Sequence, residues 1–146
     1  FDDLYDDCFL FEATRCPPDA PKTWGKREEI AANRALAKGA YHLLLEMDVT
    51  DRAVGRPSPT ATLYETPPLE VKLRVWREPT YCFCSYGTVV FVLRRSDPYS
   101  PWKITKMVDK TGLDPKSFRT NAETEVASWA EIKWYFLRRG EAGSGS

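Results

Sequence analysis

Alternating apolar and polar positions predict a block of β-strands in the middle of the chain. Residues 69–76 alternate strictly, so their apolar side chains share one face of a strand and their charged side chains share the other. Residues 81–95 are long enough for one strand with a bend or bulge at Gly87, and a further strand at 102–108 follows a turn at 96–101. Because the connections are short, we expect neighbouring strands to pair as a curled antiparallel sheet.

Helical periodicity flanks this block on both sides. Residues 26–47 begin with acidic side chains, which suit a helix N-terminus, and continue with an apolar stripe. Gly39 inside this segment is unfavourable by about 1 kcal/mol relative to alanine, so we expect another part of the chain to pack closely against it. Residues 120–139 begin with a capping-box pattern at Thr120 and predict a second helix that ends at Gly140.

This order of elements predicts an α+β fold. We expect a curled antiparallel sheet of about four strands packed on a long N-terminal helix, with an extra C-terminal helix. We divide the chain into an acidic and aromatic arm with a proline-rich connector at 1–25, a single α+β domain at 26–139, and a flexible tail or linker at 140–146. The arm is expected either to form a short amphipathic helix or to pack on the domain.

Length and charge narrow the function classes. The 146 residues fit one domain, and the 21 basic and 21 acidic residues give no net charge, which argues against bulk electrostatic binding of nucleic acid. The charges are unevenly placed, however. Residues 1–48 carry 10 acidic and 6 basic residues, and residues 49–146 carry 11 acidic and 15 basic residues. A cationic surface on the second part is therefore compatible with the neutral total.

The cysteines and the hydropathy predict neither a metal site nor a membrane span. The spacing of the four cysteines does not fit a zinc ribbon or finger, and we interpret them as reduced thiols in an intracellular compartment: Cys8, Cys16, Cys82 and Cys84. No apolar run approaches the roughly 18 residues of a transmembrane helix. We expect no cofactor, because no nucleotide-binding glycine pattern is present.

The single histidine is a weak catalytic candidate. His42 could act as a general base tuned by Asp48 or Glu46, the latter lying one helical turn away on the predicted helix. The alternative is a partly exposed histidine on the flank of a core helix. We favour that alternative, because one histidine and one neighbouring acid do not make a catalytic constellation.

The turn after the long strand carries the most informative motif. It consists of Asp97, Pro98, Tyr99, two further residues, Trp102, Lys103 and Ile104. This segment resembles the closing hairpin of a mitochondrial family with the cone-shaped, nuclear-transport-factor-like (cystatin-like) fold, which has Asn where Asp97 stands. The family includes the C-terminal domain of the import-motor scaffold and a related protein of the large mitoribosomal subunit. The resemblance covers about 81–108, and the predicted C-terminal helix and the acidic start depart from it.

The resemblance implies a non-catalytic binding or scaffold module at the mitochondrial matrix or inner-membrane face, with plastid and cytosol left open. Such a module would contact a protein partner and anionic lipid or rRNA. Basic residues of the strands are the candidate binding face: Lys72, Arg74, Arg77, Arg94, Arg95, Lys103 and Lys106. A solvated face balanced by neighbouring glutamates is the competing interpretation.

Surplus aromatic residues on the last predicted helix suggest a protein interface, with Trp129, Trp134 and Tyr135 as candidates. Two other function classes stay open. One is a small-molecule binder or cyclase- or dehydratase-like enzyme that uses a cavity between helix and sheet. The other is a homodimeric adaptor whose exposed sheet pairs with its own copy.

Overall fold

The computed structural model describes residues 3–112 and 124–144. Within these residues the chain forms eight strands, all in one mixed sheet, and three helices. The elements in chain order are β1 (Tyr5–Ala13), β2 (Thr23–Gly25), α1 (Lys26–Gly39), β3 (His42–Met47), α2 (Asp51–Val54), β4 (Leu63–Glu65), β5 (Leu69–Glu78), β6 (Tyr81–Arg94), β7 (Lys103–Thr111), β8 (Thr124–Val126) and α3 (Trp129–Ser144).

The sheet has a central antiparallel meander and two parallel additions. Its main order is β2-β1-β7-β6-β5-β3. The two short strands pair with opposite ends of β6: β4 pairs with residues 92–94 and β8 pairs with residues 82–84. β5, β6 and β7 are antiparallel, whereas β1 runs parallel to β7 and β8 runs parallel to β6. The strands at 69–76, 81–95 and 102–108 are thus confirmed, with small differences at their ends.

The prediction of about four antiparallel strands packed on a long N-terminal helix is wrong. The segment 26–47 divides: α1 ends at Gly39, Ala40 is extended, and β3 follows as an edge strand paired with β5. Phe136 of α3 packs against Gly39, where a Cβ atom would lie 2.8 Å from Cδ1 of the ring. This contact is the close packing expected at that glycine, and it lies at the end of the helix rather than in its middle.

The acidic arm contributes a second correction to the sheet. Its residues form β1, which lies between β2 and β7. Tyr5, Phe9 and Phe11 are buried, and the ring of Phe11 stacks on Trp24 with centroids 4.3 Å apart. Aromatic residues two positions apart, with polar residues around them, fit the period of a strand. The arm is therefore an integral part of the sheet.

The core lies between one face of the sheet and the two longer helices. The alternating residues of β5 are buried on this inner face, as their pattern predicted: Leu69, Val71, Leu73 and Val75. Ala32 and Leu36 of α1, and Ile132 and Phe136 of α3, are buried as well. The sheet thus has an inner face that carries the helices and an outer face with the intervening polar side chains.

Gly87 serves close strand approach rather than a bulge. Its φ is 155°, and a Cβ atom there would lie 2.6 Å from the carbonyl oxygen of Lys110 on β7. The irregularity in the pairing of β6 with β7 lies instead between Val92 and Leu93. A side chain at position 87 would therefore separate the two central strands.

The last helix begins later than predicted. The capping-box pattern at Thr120 to Glu123 lies outside the described residues, and α3 begins at Trp129. Ser128 and Glu131 form the reciprocal contacts of a capping box: the Glu131 N–H donates to Ser128 Oγ at 3.0 Å, and the Ser128 N–H donates to Glu131 Oε1 at 2.9 Å. In the described part of the chain, no helix has the length and apolar character needed to cross a membrane.

Candidate functional site

The outer face of the sheet exposes two adjacent cations. Lys72 and Arg74 alternate with buried residues of β5, so both point away from the helices and are exposed. No acidic side chain of the described residues forms an ion pair with either. On the neighbouring strand β3, Glu46 lies opposite Lys72 and Leu44 lies opposite Arg74.

An aromatic pair continues the same face. Trp76 follows Arg74 two positions later on β5, and its ring lies 5.0 Å from the ring of His42 on β3. We call Lys72, Arg74, Trp76 and His42 the outer patch. It presents two cations and two aromatic rings on an uninterrupted pair of strands, which is a surface able to contact phosphates and planar rings.

Three of the other predicted basic residues form contacts of their own, and the remaining two lie at the far end of the β6–β7 hairpin. The guanidinium of Arg77 lies 3.8 Å from the centroid of the Tyr81 ring. Arg95 donates to the carbonyls of Ala61 and Pro59 and lies 4.1 Å from the centroid of Trp102. Lys106 forms an ion pair with Glu12 at 3.0 Å. Arg94 and Lys103 lie opposite each other at the end of the β6–β7 hairpin, so the seven residues do not make one surface.

The acidic start of the chain compensates the hairpin cations. A groove of about 600 Å³ has Asp6 and Asp7 on one side and Arg94, Arg95 and Lys103 on the other. Asp7 accepts a hydrogen bond from Lys26 at 3.0 Å, and this bond, the Lys26 charge and the Lys103 charge hold the pKa of Asp7 below its ordinary value. The acidic segment thus lies beside the hairpin end and leaves the outer patch uncovered.

The motif of the hairpin turn has a local structural role. Asp97 accepts hydrogen bonds from the Tyr99 N–H and the Ser100 hydroxyl, both at 2.8 Å, and these bonds hold the pKa of Asp97 below its ordinary value. Tyr99 is 99% exposed, whereas Trp102 contacts Arg95. The turn is an Asx turn beginning before Pro98, and it positions the strands rather than a reactive group.

The weak catalytic pair is not assembled. His42 lies at the start of β3 and Asp48 lies just after its end, so the extended backbone separates their Cα atoms by about 20 Å. Asp48 accepts hydrogen bonds from the Thr50 N–H and hydroxyl, which hold the pKa of Asp48 below its ordinary value. Glu46 is about 13 Å from His42 along the same strand. A strand in place of the predicted helix accounts for this separation.

The interior holds an ion pair that sequence reasoning missed. Glu29 of α1 and Lys133 of α3 are fully buried, and Nζ lies 2.5 Å from Oε1. The other carboxylate oxygen accepts a hydrogen bond from Trp24 Nε1 at 2.5 Å. The Lys133 ammonium also lies 4.4 Å from the centroid of Phe11 and 4.7 Å from that of Trp129. Buried charges of this kind require paired partners, and here each charge has one.

A second buried carboxylate fastens α3 to the sheet. Asp109 of β7 accepts hydrogen bonds from the Thr111 N–H at 2.9 Å and from the Ala130 N–H at 2.9 Å, and the latter lies in the first turn of α3. Burial raises the pKa of Asp109 above its ordinary value, against the opposing effect of these hydrogen bonds. Asp109 and the Glu29–Lys133 pair are sealed among side chains, so they hold the helices rather than meet a substrate.

The aromatic residues of α3 pack mostly within the chain. Tyr135 contacts the ring of Phe83 at a centroid distance of 5.0 Å. Trp134 lies 5.7 Å from the guanidinium of Arg138, which itself forms an ion pair with Asp19 at 2.6 Å. Trp129 covers the ammonium of Lys133. All three predicted interface aromatics are half-buried.

The cysteines are free thiols in two settings. Cys8 is exposed, whereas Cys82 and Cys84 are buried with their Sγ atoms 3.6 Å apart. The pKa of Cys82 is raised to about 12, mainly by burial and to a lesser extent by the hydrogen bond with Cys84. Among the described side chains, no group of three potential metal ligands comes together.

The edge of β3 was not located by sequence reasoning, which predicted this segment as part of a helix. β3 pairs with β5 on one side, and on the other side it pairs with no strand of the described residues. The apolar side chains around this edge are exposed by 67% (Tyr41), 39% (Leu43), 43% (Leu44), 41% (Leu45) and 60% (Val49). We call these five residues the edge surface. Consecutive leucines fit a helix and a strand equally well, so the sequence alone gave no sign of an exposed edge.

Comparisons with known proteins do not assign a family. No protein-family model matches the chain, and no curated protein is significantly similar to it. A solved structure described as "Rd1NTF2_05 with long sheet" is 16% identical, covers 73% of this chain and 76% of its own, and gives a TM-score of 0.36. A TM-score this low does not establish a shared fold, and the mitochondrial resemblance of the hairpin finds no support in these comparisons.

Proposed function

We propose that the protein is a non-catalytic binding module that holds single-stranded RNA on the outer face of its sheet. The observation that carries this proposal is the outer patch, in which exposed Lys72 and Arg74 adjoin the rings of Trp76 and His42. Single-stranded RNA is bound by sheet surfaces that combine cations for the phosphates with aromatic rings for the bases.

The interior favours binding over catalysis. The buried charged groups between helices and sheet have partners within the chain, as in the contact of Glu29 with Lys133 and that of Asp109 with the α3 N-terminus. A general acid or base needs access to a reacting group, and these side chains are sealed. The outer patch, in contrast, is accessible.

The strength of binding is limited by neighbouring acids. Glu46 lies opposite Lys72, and Glu70 precedes Lys72 by two positions on the same face. We therefore expect weak and salt-sensitive affinity. For two phosphate contacts to a single strand, the logarithm of the binding constant should fall with the logarithm of salt concentration with a slope of about −1.4.

Fluorescence anisotropy with a labelled mixed-sequence oligoribonucleotide tests the proposal. The double variant Lys72→Glu/Arg74→Glu should lose binding, because it reverses both outer cations. The matched control Arg27→Glu/Lys38→Glu makes the same change of net charge on exposed positions of α1 and should bind like wild type. No RNA binding at low salt, or equal loss in both variants, would overturn the proposal.

A parallel measurement with cardiolipin-containing vesicles separates RNA from lipid. The rings of Trp76 and His42 can stack on bases, which a lipid headgroup does not provide, so we expect RNA to bind more tightly than the vesicles. Vesicle binding that depends on Lys72 and Arg74, in the absence of RNA binding, would assign the patch to anionic lipid and would contradict the RNA proposal.

A further inference from the structure

We infer that the chain forms a two-fold symmetric dimer in which β3 pairs antiparallel with β3 of a second copy. This inference goes beyond the RNA proposal and does not depend on it. The unpaired edge of β3 presents backbone groups of the kind that accept another strand, and the edge surface surrounds them with exposed apolar side chains.

Backbone geometry shows which groups point to the free edge. The Asp48 N–H donates to the Glu70 carbonyl of β5 at 3.2 Å. In an antiparallel pair, residues alternate between bonding to one neighbour and pointing away from it. Leu44 and Glu46 therefore direct their backbone groups at β5, and Leu43 and Leu45 direct theirs outward.

Two-fold symmetry allows only registers in which one residue lies opposite its own copy. Centring the pair on Leu44 places Leu43 opposite Leu45 of the second copy, and Leu45 opposite Leu43. Both of these are outward-pointing positions, so the two pairs can each exchange two backbone hydrogen bonds. Leu44 then faces Leu44 in the intervening pair, where side chains come closest.

Side-chain chemistry selects this register. It places His42 opposite Glu46 of the second copy, and the symmetry repeats this complementary pair on the other side of the axis. Centring on Leu43 would set His42 against a leucine, and centring on Leu45 would set Glu46 against Leu44. In the register on Leu44, polar residues therefore lie opposite polar residues at both ends of the strand, and leucines lie opposite leucines in its middle.

The dimer would be a closed assembly. The pairing uses the same surface on both copies, so it consumes the β3 edge of each and leaves none for further addition. The opposite end of the main sheet is β2, which has three residues and offers a short edge. The two copies would share one continuous sheet with both outer patches on the same side.

Light scattering and analytical ultracentrifugation over a range of concentrations test the inference. Wild type should reach twice the 16.7 kDa of one chain at high concentration. Leu44→Lys places two like charges at the symmetry axis and should stay monomeric, while Leu63→Lys, on a leucine that is 62% exposed on β4, should dimerise like wild type. A wild-type chain that is monomeric throughout, or a Leu44→Lys variant with undiminished dimer, would overturn the inference.

Cysteine cross-linking tests the register separately. In a Cys8→Ser background, Leu44→Cys should form a disulfide-linked dimer under mild oxidation, because opposed residues of a pair without mutual hydrogen bonds have Cα atoms about 4.5 Å apart. Leu45→Cys lies two positions out of register with its copy and should cross-link at least tenfold more slowly. Equal rates for the two variants, or for Leu63→Cys, would refute the register.

The contact between His42 and Glu46 of the second copy provides a further check. His42→Glu sets two acids against each other and should weaken the dimer, whereas His42→Glu/Glu46→Lys sets an acid against a lysine and should restore it. If the exchange does not restore the dimer, the register on Leu44 is wrong. A wild-type chain that dimerises but binds no RNA at low salt would reject the RNA proposal alone, and a monomeric wild-type chain that binds RNA would reject the dimer alone, so the two ideas fail independently.

Discussion

The layer between the helices and the sheet and the edge surface of β3 depart from the usual distribution of residues in opposite ways. The inner layer buries the charges of Glu29 and Lys133, whereas the edge surface exposes three consecutive leucines. The buried charges are satisfied within the chain by an ion pair, an indole donor and aromatic rings. Among the described residues, no strand pairs with the outer side of β3, where these leucines lie. The buried charges are thus satisfied within the single chain, whereas the edge surface is the part of the molecule that a second copy would cover.

The largest expected effect comes from breaking the inner pair. Lys133→Met leaves the buried Glu29 carboxylate without its cation, and we expect a loss of about 3–5 kcal/mol in the free energy of unfolding. Chemical denaturation measures this loss directly. If the variant loses less than about 1 kcal/mol of unfolding free energy, Glu29 does not depend on Lys133, and the contrast between the inner layer and the edge surface fails.

Two further variants sharpen that measurement. Adding Glu29→Gln to Lys133→Met removes the stranded charge and keeps an acceptor for Trp24, so much of the stability should return. Lys38→Met changes an exposed lysine of α1 and should leave the free energy of unfolding nearly unchanged.

An intermediate effect is expected at Asp109. Asp109→Asn replaces one carboxylate oxygen by an NH₂ group, which then faces the N–H donor of Thr111 or of Ala130. We expect this change to lower the free energy of unfolding by about 1–3 kcal/mol near neutral pH. Because the pKa of Asp109 is raised in the folded protein, the folded state retains a proton that the unfolded chain has lost above pH 3.8. The contribution of Asp109 to stability therefore falls as the pH rises through that window.

Denaturation at several pH values checks the sign. Asparagine does not titrate, so the stability advantage of wild type over Asp109→Asn should be largest at low pH and shrink as the pH rises from about 3.8. An advantage that grows over this range would show that the hydrogen bonds to Asp109 outweigh its burial.

The smallest effect is expected at the edge. Leu44→Lys should change the free energy of unfolding by no more than about 0.5 kcal/mol at concentrations where the chain is monomeric, because the side chain is 43% exposed. The same substitution is expected to abolish dimerisation. A large loss of stability in the monomer would mean that Leu44 belongs to the core, and the contrast between the two regions would disappear.

The sequence was informative where one period dominates. The strict alternation of β5 and the long apolar run of β6 predicted the meander, and they also placed Lys72 and Arg74 on one outer face. The segment 26–47 misled, because its leucines satisfy a helical stripe until Gly39 ends the helix. β1 was not predicted as a strand, because its acidic residues interrupt the two-residue period that the buried Phe9 and Phe11 share.

The parts of the site that depend on distant partners could not be predicted. Glu29 and Lys133 meet across 104 positions of sequence, and nothing local to either residue indicates the other. The edge surface likewise follows from β3 having β5 on one side only, which is a property of the sheet order. Residue type and spacing reveal which face a side chain takes, but strand order decides which edge stays open.

The parallel pairing of β1 with β7 has a consequence for the order of folding. Tyr5 lies beside Ile104, and Ala13 lies beside Asp109, so β1 can enter the sheet only after a long loop has closed. The meander of β5, β6 and β7 needs only short loops and can form first. During synthesis, the rings of Phe9 and Phe11 therefore stay exposed to solvent until β7 has been made. We expect the chain to be prone to aggregation during this interval.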